Sequence, residues 1–217
     1  TVAQELSRLS SQFQDNVLDA TQGWHQVIEE ESRLKGIPDS ARAMAREVAK
    51  TMGLEGWVFN LEFPSYIAIM THADDRELRE AFYTAYATRA SDQGPTAGRW
   101  DNTEIMAQIL ALRHEEAELL GFKNFAELSL ATKMAPSVDA VEAFLTDLAD
   151  RSLPSAREDL ATLKAFAEDA LGIPDPQAWD LAYASEKLRQ AHYSLSQEEL
   201  RPYFPAPKVL QGLFKII

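Results

Sequence analysis

The chain has 217 residues, 46% of them apolar and 25% charged, with a formal net charge of −13; it is long enough for one large domain, or two small ones, with a real core, and its acidic surface disfavours nucleic acid and anionic membranes as partners. No apolar run reaches the length of a membrane span. The absence of cysteine excludes disulfides, thiolate zinc sites and cysteine nucleophiles, and fits a reducing compartment.

Helical periodicity dominates from the start. Leu6, Leu9, Phe13, Val17, Ala20, Trp24 and Val27 recur at spacings of three and four, which predicts one long helix broken at Gly36–Pro38. A second helix is predicted from Asp39 or Ser40 to Gly53. Trp57, Phe59, Leu61 and Phe63 alternate with Val58, Asn60 and Glu62, a period of two that predicts a strand ending at Pro64. A lone strand leaves its backbone groups unpaired, so this one is expected to pair with a short neighbouring segment or with another copy.

Asp74 and Glu77 form a capping-box-like start for a helix to about Ala90, and residues 91–100 (Ser-Asp-Gln-Gly-Pro-Thr-Ala-Gly-Arg-Trp) read as a loop. Asp101 or Asn102 then caps a helix that Gly121 closes. Beyond it, Ser137 caps a helix carrying Val138, Val141, Phe144, Leu145 and Leu148. Pro154 starts or kinks a further one through Leu160, Leu163 and Phe166 to Gly172. Asp175–Pro176 opens a helix through Trp179 and Tyr183, and Ser196 with Glu199 forms another capping box. The expected fold is all-α, with roughly eight to ten helices and at most one or two short strands. No repeat and no clear linker divides residues 1–217.

Residue chemistry alone yields no active site. A catalytic zinc takes three protein ligands, and two histidines at i and i+4 on a helix are its strongest sign. His25, His72, His114 and His192 offer no such pair. His114 and Glu118 share a helix face, as solvated polar pairs commonly do. His72, Asp74 and Asp75 form a second weak cluster, in which Asp74 is better read as a cap. Gly94–Gly98 lacks the spacing of a phosphate loop, and no Gly-x-Ser-x-Gly elbow is present. The runs Glu29–Glu31 and Glu115–Glu116 read as solvent-facing charge. Trp179, Tyr183, Tyr193, Tyr203 and Phe204 read as packing aromatics. Catalytic, cofactor-binding and metal-binding residues are therefore all expected to be none.

The order of local motifs carries more. Phe13–Thr21 (Phe-Gln-Asp-Asn-Val-Leu-Asp-Ala-Thr), Leu54–Tyr66 with its Gly-aromatic strand and Pro-x-Tyr, and Thr88–Pro95 stand in succession. Ile109–Glu115 follows, then Leu119–Phe122, Ala131–Met134, Trp179-Asp180 with Tyr183, Tyr193-Ser194 and Tyr203-Phe-Pro205. Together, over essentially the whole chain, these resemble the oligopeptidase A and thimet oligopeptidase family of zinc metallopeptidases. The resemblance implies a mostly helical, two-lobed cytoplasmic enzyme whose channel admits short peptides. It also implies a zinc held by His-Glu-x-x-His and a further Glu. That motif is absent, and His114-Glu115-x-x-Glu118 does not stand in for it, so no site residue carries over.

The resemblance covers a middle portion of the family sequence, upstream of the zinc-bearing segment. The chain is thus expected to supply scaffold and channel wall, with zinc in the intact parent and none in this portion. The alternative is a stand-alone helical module that binds a peptide or partner without chemistry. Val209, Leu210, Leu213, Phe214 and Ile217 form a wide apolar helix face running to the final residue. No stop signal follows it, so the parent helix is expected to continue, and the bare face to fold back on the chain or contact another copy and to drive self-association.

Overall fold

The computed structural model describes residues 1–194 and 201–217; the Ser196–Glu199 capping box lies outside them. Among the described residues there are nine α-helices and one two-stranded sheet, so the chain is all-α with a minimal β element. In chain order they are α1 (Val2–Gln22), β1 (His25–Ile28), a 3-10 turn (Glu31–Leu34), α2 (Asp39–Met52), β2 (Trp57–Asn60), α3 (Phe63–His72) and α4 (Arg76–Ala87). Then follow α5 (Thr103–Leu119), α6 (Phe125–Leu130), α7 (Val138–Leu171), α8 (Ala178–Tyr193), a second 3-10 turn (Arg201–Tyr203) and α9 (Ala206–Ile216).

The chain forms two compact units. The first comprises Thr1–Gln26, Asn60–Glu62 and Tyr83–Ala161; the second comprises Val27–Phe59, Phe63–Phe82 and Thr162–Ile217. In the first, α1 packs along α5, and Leu9, Ile105 and Ile109 make a core flanked by Leu6, Phe13 and Leu112. The buried Asn102, just before α5, donates to the Phe13 carbonyl at 3.1 Å and accepts from Asn16 at 2.8 Å. This satisfies a polar side chain that would otherwise be costly inside. In the second unit, α3 packs on α8 and α2, over a core that includes Ile28, Leu34, Phe59, Ile69 and Leu78.

Several expectations are corrected. The first helix does not reach Val27. It stops at Gln22, and His25–Ile28 becomes the strand that pairs with β2. Gly23 lies so close to the Trp100 ring that a Cβ there would sit 2.2 Å from it, so the chain leaves the helix where only glycine fits. The pairing gives the predicted strand its partner, although β2 itself ends at Asn60 and Pro64 lies in the first turn of α3.

The start of α4 is also shifted. Asp75, not Asp74, caps it, accepting from the Leu78 backbone N–H at 3.0 Å. Pro154 neither starts nor separates a helix, because α7 runs through it for 34 residues. The cap at Ser137 holds, its Oγ accepting from Ala140 N at 3.1 Å. α6 has no counterpart in the sequence reading. Asn124 supports it by accepting from Glu127 N at 2.9 Å.

Candidate functional site

A dense polar cluster lies in the second unit, where α4 meets α8. Its local framework follows from sequence. Gln177 and Asp180 form a reciprocal cap at the start of α8, with the Gln177 N–H donating to Asp180 Oδ2 at 2.9 Å. This points Asp180 back at the helix start. Arg76 and Arg79, one turn apart on α4, share a face that reaches it. Arg79 Nη2 donates to Asp180 Oδ1 at 2.7 Å, and Arg76 Nη2 to Oδ2 at 2.8 Å. The Arg79 and Asp180 side chains are 1% and 0% exposed, so this is an interior ion pair.

A second layer surrounds the pair. Arg79 Nη1 donates to the Ala73 carbonyl at 2.6 Å, and its guanidinium lies 4.1 Å from the centre of the Tyr183 ring. The Tyr183 hydroxyl donates to Asp74 Oδ1 at 2.9 Å. Lys187 and Lys35 approach the same carboxylate at 3.4 and 3.7 Å. Arg33 donates to Asp75 at 2.6 Å. The turn at Gly36 makes room for the α3–α4 connection. With φ +86, a Cβ there would lie 2.2 Å from the His72 carbonyl oxygen, and the Asp74 N–H donates to the Lys35 carbonyl at 2.9 Å.

Electrostatics follow from this geometry. Burial opposes charge on Asp180, but the hydrogen bonds from Arg76, Arg79 and Gln177 outweigh it and hold the carboxyl below its ordinary range. Burial likewise opposes charge on Asp74, and Tyr183 and Lys187 overcome it in the same direction. Burial, then the hydrogen bond to Asp74 and its charge, push the Tyr183 phenol up to about 12.

Chemically the cluster is saturated. Both Asp180 oxygens are taken by arginine or backbone donors, and the Asp180 and Asp74 carboxylates are both held below their ordinary range. Arg79 Nε is the one guanidinium nitrogen of that residue buried without a hydrogen-bond partner among the described residues.

The four histidines sit on β1, α3, α5 and α8. His114 Nε2 lies 3.5 Å from Glu118 Oε1 on the exposed face of α5. Among the described residues no three His, Cys, Asp or Glu side chains group so as to hold a metal ion; the donor set of a catalytic zinc does not assemble there. Of the late aromatics, Tyr183 is buried. Tyr193, Tyr203 and Phe204 are exposed, so packing among the described residues does not explain them. No described helix is long and apolar enough to cross a membrane.

Grooves line several of the described helices. One of about 570 Å³ lies at the α6–α7 turn, beside Met134, Lys133 and Glu127. One of about 350 Å³ separates α2 from α3, and one of about 360 Å³ runs between α1 and α5. None receives a cluster of perturbed titratable groups of the kind that marks an active site.

The sequence reading missed Arg76, Arg79 and Asp180. The available signals were a pair of arginines at i and i+3 directly after a cap, and an acid at the third position of a helix opened by Asp-Pro-Gln.

Residues 69–217 match peptidase family M3. Oligopeptidase A of Escherichia coli (strain K12) is 52% identical over 216 residues, covering 100% of this chain and 32% of that protein. The probable cytosolic oligopeptidase A of Arabidopsis thaliana is 41% identical over 98% of this chain and 31% of its own length. Dipeptidyl carboxypeptidase of Escherichia coli (strain K12) is 28% identical over 97% and 30%. The chain spans about a third of the length of these relatives. With a family match through most of its length, and half-identity to an oligopeptidase A along all of it, the chain belongs to peptidase family M3.

Proposed function

We propose that this chain is a scaffold portion of a zinc oligopeptidase that hydrolyses short peptides, and that it supplies wall and framework but no zinc ligand and no catalytic group. The observation that carries this reading is the 52% identity to an oligopeptidase A over the full chain but only 32% of that protein. The scattered histidines and the saturated Asp180 network fit it, since a framework needs fixed ion pairs and not poised ones. The zinc chemistry belongs to polypeptide beyond these 217 residues, and no residue described above takes a step in it. A cytoplasmic setting is part of the same reading.

A graft tests it. The aligned 216 residues of Escherichia coli oligopeptidase A are replaced by this chain, and hydrolysis of a short quenched-fluorescence peptide is followed with and without a zinc chelator. Chelator-sensitive cleavage by the graft, with none by the isolated chain, is expected. Cleavage by the isolated chain would overturn the assignment of a purely framework role.

A further inference from the structure

α7 is exposed at every residue from 142 to 162. Within and just before this stretch, Val141, Phe144, Leu145 and Leu148 fall at i, i+3, i+4 and i+7, an apolar stripe of two turns. Phe144 is 66%, Leu145 54% and Leu148 53% exposed. A helix bare on all sides depends on its own propensity, which is marginal in water, and Pro154 interrupts its hydrogen-bond ladder. A stripe of large apolar side chains on such a helix marks a surface awaiting a partner.

The occupant follows from length and charge. The relatives carry about twice as much polypeptide again as this chain spans. The charged residues among the stripe positions are acidic until Arg151, which pairs with Asp147 at 2.9 Å; by helical spacing Glu142 and Asp147 border the stripe, while Asp139 and Asp150 fall on the far face. Resting on the functional reading above, we propose that the stripe Val141, Phe144, Leu145 and Leu148 is the seat for an apolar helix with basic flanks from the remaining polypeptide of the peptidase. The contact is of the helix-in-groove kind, read at i, i+3, i+4 and i+7. It gives α7 the tertiary packing that its exposed stretch does not find among the described residues.

The test compares one pair of substitutions in two settings. Phe144→Asp with Leu148→Asp is placed in the isolated chain and in the oligopeptidase A graft. In the isolated chain both residues face water, so melting temperature and mass stay unchanged. In the graft the pair lowers the melting temperature by more than about 4 °C, and Phe144→Leu with Leu148→Met does not. Peptide cleavage by the unsubstituted graft reads the functional proposal separately: an inactive graft that is still destabilised by the acidic pair sinks that proposal and leaves the seat standing. Acidic substitution at the two aligned positions of intact Escherichia coli oligopeptidase A gives the same readout should the graft not fold. An unshifted melting temperature in the graft, or in that intact protein, overturns the seat. So does a fall in the mass of the isolated chain with the acidic pair, which would make a second copy the occupant.

Discussion

Asp180 and Arg79 concentrate the electrostatic risk of the second unit in one contact. A buried ion pair is weak evidence of net stabilisation, but removing one partner leaves the other charged and stranded. Asp180→Asn is therefore expected to cost about 3–5 kcal/mol, the range for breaking a buried pair, measured by urea unfolding near neutral pH. Tyr183→Phe removes one hydrogen bond to a carboxylate that keeps two lysines, and should cost about 1–2 kcal/mol. The pH dependence has a definite sign. Asp74 and Asp180 are held below their ordinary range, so their contribution is full above about pH 4 and is lost as pH falls through the lowered native values. The gap between the parent chain and Asp180→Asn should close on acidification; a gap that stays constant down to the acid limit would contradict the assignment. Tyr183 works in the other direction. Its contribution is full below about pH 10, the ordinary phenol value, and is lost as pH rises through about 12. Phenolate absorbance should show one late-titrating tyrosine, absent in Tyr183→Phe.

At the scale of elements, α7 makes the sharpest demand. Pro154 removes an N–H from the ladder and crowds the carbonyl of Asp150, yet the helix continues from Val138 to Leu171. Pro154→Ala should raise stability by about 1–3 kcal/mol and slow amide exchange over residues 150–158. Unchanged exchange there would mean that the proline costs this helix nothing. The same elements show what the sequence could tell. Capping and glycine chemistry are local, so α2, α5 and the start of α7 at Ser137 were legible from a few residues each. The switch at Gly23 was not, because the apolar period of Leu6 to Val27 continues through it; what stops the helix is Trp100, distant in sequence. Pro154 as a helix start was misread for the opposite reason, since a proline is a local signal that a committed helix on both sides overrides. Asp180 was readable as an acid in a first turn, but its two arginine partners lie about a hundred residues away. No spacing rule joins them. The absence of a zinc motif was plain in the sequence, whereas the exposure of Tyr193, Tyr203 and Phe204 needed the structure.

For the whole molecule, the balance is between repulsion and bare apolar surface. α9 has no buried residue; Val209, Leu210 and Leu213 are about half exposed, and Phe214, Ile216 and Ile217 largely so. By helical spacing, Lys208 and Lys215 fall on the opposite side. At roughly 150–250 Å² for an aromatic side chain and somewhat less for an aliphatic one, these residues leave an uncovered patch on the order of 700 Å². That exceeds what most monomers show in one place, about 300–600 Å², and approaches one side of a standard interface, about 800 Å². The net charge of −13 opposes association. Salt screens that repulsion, the Debye length falling from about 10 Å at 0.1 M to about 3 Å at 1 M, while the apolar contact is left intact. The isolated chain is therefore expected to self-associate through α9, and more strongly as salt rises, which is the reverse of an assembly held by ion pairs. Static light scattering across a salt series reads this directly. Leu213→Asp with Phe214→Asp should return the chain to monomer mass at every salt concentration. A monomer throughout the series, or an assembly that salt dissolves, would remove α9 as its cause.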